Sequence, residues 1–327
     1  MKIIAGLNPY GLTYHLGLQG IGTPRANPNG TGLAGFIALA QELNGRALEL
    51  WEGWLKDMSD ADLAALRAQL DGLGMARVVS SGLQQGDMAL LVRAAVALNA
   101  RYIRFALTPI LCGDRNAAGP RWGELVASIH DKLGRYAPMA AANGLVILIE
   151  NHQDFTSREL VALCNQYGPS VCILYDTGNS FPVAEAPLDF TEVVAPYVRH
   201  VHLKDYRVQW TDEGLRLVRC AIGDGAVPFA ALFDILARHH DEMTCVLEPG
   251  ALEARHVRLF TPDWWLGYEA RSADSLAAVL LAARVNRLPD DADYRTPWER
   301  GDDGALEGYE LDMIRRSAAN MKSLGIM

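Results

Sequence analysis

The sequence predicts a (β/α)8 TIM barrel, and three observations point to it. Short β-type runs alternate with longer helical patterns along residues 1–285, eight times over. That is the pattern of a parallel sheet with crossover helices, in the number that closes a barrel. Most of these runs are apolar throughout, as strands covered on both faces are. No GxGxxG follows the first run, so a doubly wound dinucleotide-binding sheet is disfavoured.

Taken in order, the first strand is expected at 2–8 (KIIAGLN), followed by a long Gly- and Pro-rich loop over 9–32. A helical pattern at 33–44 leads to the second strand, 46–51, and another at 60–70 leads to the third, 75–81. The fourth strand, 102–107, follows the helix 87–99; the fifth, 145–151, follows 121–142; the sixth, 171–176, follows 157–167. The seventh strand is expected at 199–204. Residues 206–222 then read as an inserted hairpin turning near 212–214. A helix at 228–240 precedes the eighth strand, 243–248, and a further helix is expected at 272–285. Residues 286–327 start as charged, Pro-containing coil and finish as a helix near 305–324. The expected organisation is a catalytic barrel over 1–285 with a C-terminal extension, 286–327, packed on the barrel or on a partner subunit.

Composition narrows the function. The chain carries 30 Lys+Arg against 39 Asp+Glu, a net charge of −9. That balance disfavours wrapping nucleic acid, where basic side chains must neutralise phosphates. Apolar runs such as 145–149 are too short to cross a bilayer. The first residues lack the charged segment and cleavage site of a signal peptide. Five cysteines, an odd number with no CxxC, read as small hydrophobes in a reducing cytosol. The expectation is a cytoplasmic enzyme for a small molecule, with no nucleic-acid or membrane partner and homo-oligomerisation left open.

Four residues stand out by position. Glu150 ends the fifth strand (LVILIEN), Asp176 the sixth (CILYDTG), and Glu248 the eighth (TCVLEPG); His202 lies near the end of the seventh (RHVHLKD). The steps from Glu150 to Asp176 to His202 are equal and match one β/α unit; the last step is longer by the hairpin. Four consecutive strands would each deliver a ligand-type side chain to the C-terminal rim, where barrel active sites are built. If Glu150 points inward, so do Leu148, Val146 and His152; if His202 does, so do His200 and Lys204. Three carboxylates and an imidazole do not sit unpaired in a barrel mouth, because an isolated buried charge is very costly. One divalent cation resolves this. The oxygen-rich set favours Mn²⁺ or Mg²⁺ over Zn²⁺ or Co²⁺.

With these residues in view, the chain resembles the xylose-isomerase-like TIM barrels, which include sugar isomerases and epimerases. The resemblance covers about residues 1–285 and rests on IENH at 149–152, YDTGN at 175–179, HVHLKD at 200–205, GDG at 223–225 and LEPG at 247–250. It implies Glu150, Asp176, His202 and Glu248 as metal ligands and a small polyhydroxylated carbonyl substrate that chelates the metal. Epimerases of this superfamily usually place a histidine where Asn179 stands and a second acid–base glutamate where Thr156 stands. A two-base epimerase is therefore disfavoured. In exchange, Glu-x-His at 150–152 is similar to the lyase branch, such as the 3-dehydroshikimate dehydratases and the C-glycoside deglycosidase subunits.

The resulting expectation is a divalent-metal-dependent lyase acting on a small oxo sugar or oxo sugar acid. It would decarboxylate or dehydrate its substrate through a metal-stabilised enolate; a sugar isomerase or epimerase is the alternative. His152 is the expected proton-transfer group, with Glu248 and Lys204 as further catalytic residues. Lys204 and Arg104 are candidates for holding a substrate carboxylate, and Asn179 for binding substrate. Trp51 and Trp264 would wall the pocket, and the loop 9–32 would close over it. His200 reads as core, and the GDG as a turn.

Overall fold

The computed structural model describes residues 1–250 and 252–326. Seven parallel strands come first: β1 (Lys2–Leu7), β2 (Ala47–Trp51), β3 (Ala76–Gly82), β4 (Tyr102–Ala106), β5 (Val146–Glu150), β6 (Val171–Asp176) and β7 (Val198–Leu203). The hairpin β8 (Tyr206–Thr211) and β9 (Gly214–Arg219) intervenes before β10 (Glu242–Leu247), which pairs with both β7 and β1. β1 also pairs with β2, so the eight-stranded barrel is closed. A short β11 (Arg255–Val257) adds to the hairpin and makes a separate sheet in the order β11-β9-β8.

The helices around the barrel are α1 (Gly32–Glu42), α2 (Glu52–Leu55), α3 (Asp60–Gly72), α4 (Met88–Ala97), α5 (Arg121–Ala142), α6 (Ser157–Tyr167), α7 (Pro187–Val194), α8 (Phe229–Ala237) and α9 (Ala273–Ala282). The extension adds α10 (Pro297–Arg300) and α11 (Asp303–Ser323). Local chemistry sets several starts. Ser59 and Thr156 make capping boxes for α3 and α6, and Asp87 caps α4. Eight β/α units imply a helix between the sixth and seventh strands, but its bounds were not read from the sequence, and the strand β11 was not expected. Pro187 at the first position of α7 was the available signal, whereas β11 is only three residues long and is defined by its partner β9.

Strand parity divides the interior. Outward residues such as Leu50, Phe105, Ile149, Tyr175 and Leu203 join the helices in one large apolar cluster. Leu148, Cys172 and Leu174 form a separate small cluster inside the barrel. One step further toward the C-terminal rim the inner positions turn polar: Glu49, Arg104, Glu150, Asp176, His202 and Lys204 are all buried. A mostly apolar floor, with His200 beside Leu174, thus carries a charged layer.

The loop 9–32, expected to close over the pocket, is tied to the C-terminal extension. Its backbone N–H groups at Tyr14 and His15 donate to the Glu310 carboxylate on α11, at 3.0 and 2.8 Å. Arg25 stacks on Trp298 with its guanidinium carbon 3.5 Å from the ring centroid, and donates to Asp303 at 2.9 Å. The far end of the loop is fastened to the C-terminal extension. No helix among the described residues is long and apolar enough to cross a membrane.

Candidate metal centre

Glu150, Asp176, His202 and Glu248 converge at the C-terminal rim, each offering one donor atom within 4.8 Å of the others. All four are buried. Three of these atoms lack a good hydrogen-bond partner, namely Glu150 Oε1, His202 Nδ1 and Glu248 Oε2, and they face one another. His202 Nδ1 lies 2.7 Å from Glu248 Oε2 and 3.4 Å from Glu150 Oε1. Buried polar atoms are normally satisfied, so a cluster of unsatisfied ones aimed at a common point is what a cation site requires. The donor set fits a divalent ion.

The charge balance agrees. Arg104 pairs with Glu150, and Lys204 pairs with Asp176 and, at 2.6 Å, with Glu248. Glu49, Glu150, Asp176 and Glu248 against Arg104 and Lys204 leave two negative charges uncompensated when His202 is neutral. One divalent cation balances them. As the side chains stand, burial pushes the Asp176 carboxyl up to about 7, against the pull of Lys204. Burial acts the same way on Glu150 and Glu248, but Arg104 beside the former and Lys204 beside the latter hold both below the usual carboxylate range. Burial disfavours the His202 cation, yet Glu49 and Glu248 outweigh it and hold that imidazole well above its ordinary value.

Sequence reasoning missed Asn8, whose Nδ2 lies 3.0 Å from His202 Nε2, and Glu49. Glu49 is the charged one of the two. It sits on β2, across the barrel from β7, and accepts a hydrogen bond from His202 Nε2 at 2.6 Å. That bond fixes the proton on Nε2 and leaves Nδ1 to face the carboxylates. A lone glutamate in ALELW gives no local hint of this, because the partner is remote in sequence. The motifs around the ligands also have identifiable work. Asn151 clamps the backbone of Asp176, accepting from its N–H at 2.6 Å and donating to its carbonyl at 2.8 Å. Thr177 Oγ1 donates to the Lys204 carbonyl and accepts from its N–H, at 2.7 and 2.9 Å. Asp205 accepts from the backbone N–H groups of Tyr206, Gly223, Gly225 and Val227, which organises the GDG turn.

The other expected site residues divide. His152 lies near the cluster: the charges of Glu150, Arg104, Lys204 and Glu248 all act on its ring, its Nδ1 is buried without a partner, and burial pulls its pKa down to about 4. Asn179 Nδ2 donates to Asp176 Oδ2 at 2.7 Å. Thr156 is engaged as the N-cap of α6. Trp51 ends β2 two residues past Glu49 and shares its inward parity. Trp264 is different. It is fully buried, stacked on Tyr268 at 4.9 Å, and its indole N–H donates to the Cys112 carbonyl at 2.9 Å. It supports the loops and offers no ring face to a ligand, contrary to expectation. His200 is buried one layer below His202, 3.8 Å from Glu49, in keeping with a core position.

The closed barrel and its polar rim define a class. Residues 37–261 match the sequence profile of the xylose isomerase-like TIM barrel family, and the chain belongs to that family. Among its relatives, the uncharacterized protein YihM of Escherichia coli strain K12 is 31% identical over 161 residues, 46% of this chain and 49% of that protein. An inosose dehydratase of Clostridium botulinum is 28% identical over 156 residues, 43% of this chain and 51% of that enzyme. The chain thus spans about half the length of the curated relatives it matches. Among solved structures, a xylose isomerase-like TIM barrel protein of Mycobacterium smegmatis in complex with magnesium superposes with a TM-score of 0.56. It is 16% identical, with 86% of this chain and 97% of that chain covered, and shows the shared fold.

Proposed function

We propose that this protein is a metal-dependent lyase that removes water from a small keto sugar or keto sugar acid. One observation carries the reading: outside the proposed ligand set one imidazole, His152, lies near the carboxylate cluster with a buried, unpartnered Nδ1, while the position of a second base is spent on capping α6. The inosose dehydratases among the relatives support dehydration over decarboxylation. Glu150, Asp176, His202 and Glu248 would hold the ion, with Mn²⁺ or Mg²⁺ favoured by the three oxygen donors. When bound, the ion supplies a Lewis acid that polarises the substrate carbonyl.

The side chains account for the remaining chemistry. His152 is neutral near pH 7, given its low pKa, and takes a proton from the carbon beside the carbonyl. The electron pair of that C–H bond forms the new double bond, and the C–O bond to the neighbouring hydroxyl breaks. His152 returns its proton to that leaving oxygen, and water departs. Lys204 holds developing negative charge on the substrate oxygen from its place between Asp176 and Glu248. Arg104 keeps Glu150 ionised and oriented.

Mass spectrometry of the products tests this reading. The protein loaded with Mn²⁺ is incubated with a panel of keto sugars and keto sugar acids. A product lighter by one water is expected. Unchanged mass with deuterium taken up from heavy water at one carbon would promote the epimerase instead.

A further inference from the structure

The sheet β8–β9–β11 is an insertion that barrel closure does not need, and one of its faces meets the metal centre. Tyr206 pairs directly opposite Arg219, and Val208 opposite Leu217. Leu217 in turn stands opposite Arg255. Cross-strand partners share a face, as do residues two apart on a strand. Tyr206, Arg219 and Arg255 therefore project from the same side. The Tyr206 ring is buried against Gly178, where a Cβ would lie 2.7 Å from it, and the phenol oxygen is 3.5 Å from Asn179 Oδ1. That side looks at the rim.

Arg219 is the unusual member. It is 8% exposed and its Nε has no hydrogen-bond partner. Among the described residues, no carboxylate comes within 4.0 Å of its guanidinium. A guanidinium cannot shed its proton, so a buried one calls for an anion. Glu253 and Glu310 feel its charge, but both are engaged, Glu253 with Arg255 and Glu310 with the backbone of the loop 9–32. Arg255 also has an unpartnered Nε. The charge of Arg219 acts on Lys204, and with those of Lys204 and Arg255 it acts on the Tyr206 phenol, against burial and the charge of Asp176. The guanidinium rests against Gly250, whose φ is +67° and where any Cβ would collide with Nη1. The glycine two residues after Glu248 is what lets Arg219 approach the strand end that carries a ligand.

We infer that Arg219, with Arg255 beside it, forms a subsite for an anionic oxygen group of the substrate, a carboxylate or a phosphate. This rests on the metal-centre reading above and narrows it: the centre takes a keto sugar acid or a sugar phosphate in preference to a neutral keto sugar. Paired guanidinium donors match the geometry of such groups.

Calorimetric binding of D-gluconate, glucose 6-phosphate and sorbitol to the full chain in Mn²⁺ tests it, with Mn²⁺ alone titrated separately. The wild type is expected to hold one of the anions at least ~10-fold more tightly than sorbitol, and which one distinguishes carboxylate from phosphate. Arg219→Met should weaken that preference by ~10–100-fold, the range for hydrogen bonds to a charged group, with Mn²⁺ and sorbitol binding unchanged. Arg219→Lys, which keeps stem and charge against misfolding, should fall between the two. No anion preference in the wild type, or one that survives Arg219→Met, would overturn the subsite. An anion preference without Mn²⁺ binding would overturn the metal centre and leave the subsite standing.

Discussion

Replacing Glu49 tests whether the carboxylate behind His202 sets the affinity of the centre. Glu49→Gln keeps the shape of the side chain and an acceptor oxygen for His202 Nε2, now 2.6 Å away, but removes the charge. A hydrogen bond to a charged group contributes roughly 1.5–3 kcal/mol, and a neutral one roughly 0.5–1.5. The difference, roughly 1–1.5 kcal/mol, corresponds to about a tenfold loss in metal affinity. Glu49→Ala removes the acceptor as well and deprives Arg104 of a carboxylate 3.9 Å from its Nε. For that variant the loss should approach ~100-fold, the upper end for outer partners of metal-binding histidines. Mn²⁺ titration against a competing fluorescent chelator at neutral pH reads both values, and thermal unfolding confirms that the variants fold. Wild-type affinity in two folded variants would refute the role of Glu49.

Two further outcomes follow from the same geometry. His152→Gln should retain Mn²⁺ and the fold but lose ~10²–10⁴-fold in kcat for dehydration, the contribution of a general acid–base group; a change confined to KM would mean that it only positions hydroxyls. Glu310, which ties the loop 9–32 to α11, has its carboxyl pushed up to about 7 by burial, against the N–H donors of His15 and Tyr14 and the charge of Arg219. A carboxyl whose pKa is higher folded than unfolded takes up a proton on folding, so its stabilisation is full below about 4.5 and is lost as pH rises through about 7. Asp176, Asp154 and Asp205 are raised in the same direction, so Tm should fall across that window in both proteins, but further in the wild type than in Glu310→Gln by the equivalent of roughly 1–3 kcal/mol; parallel profiles would remove Glu310 as a cause.

The barrel was legible because its strands are nearly continuous apolar runs and its helices carry their own caps, signals that are local in sequence. The rim was legible for a related reason: Glu150, Asp176, His202 and Glu248 recur at the same phase of successive units, so topology alone brings them together. Glu49 was hidden because its partner lies across the barrel, on a strand far away in sequence. Trp264 was misread because an aromatic after the eighth barrel strand carries no sign of which way its ring turns; here Tyr268 and the Cys112 carbonyl hold it in the core. The tether of the loop 9–32 was equally invisible, since Glu310 lies nearly three hundred residues from the backbone groups it accepts.

Elemental analysis of purified protein is the most direct test of the centre itself. One divalent ion per chain is expected in the wild type, with most of it lost in Glu248→Ala, which removes the oxygen that faces His202 Nδ1 at 2.7 Å. Equal metal content in the two proteins, or none in the wild type after loading with Mn²⁺, would contradict a metal centre built from Glu150, Asp176, His202 and Glu248.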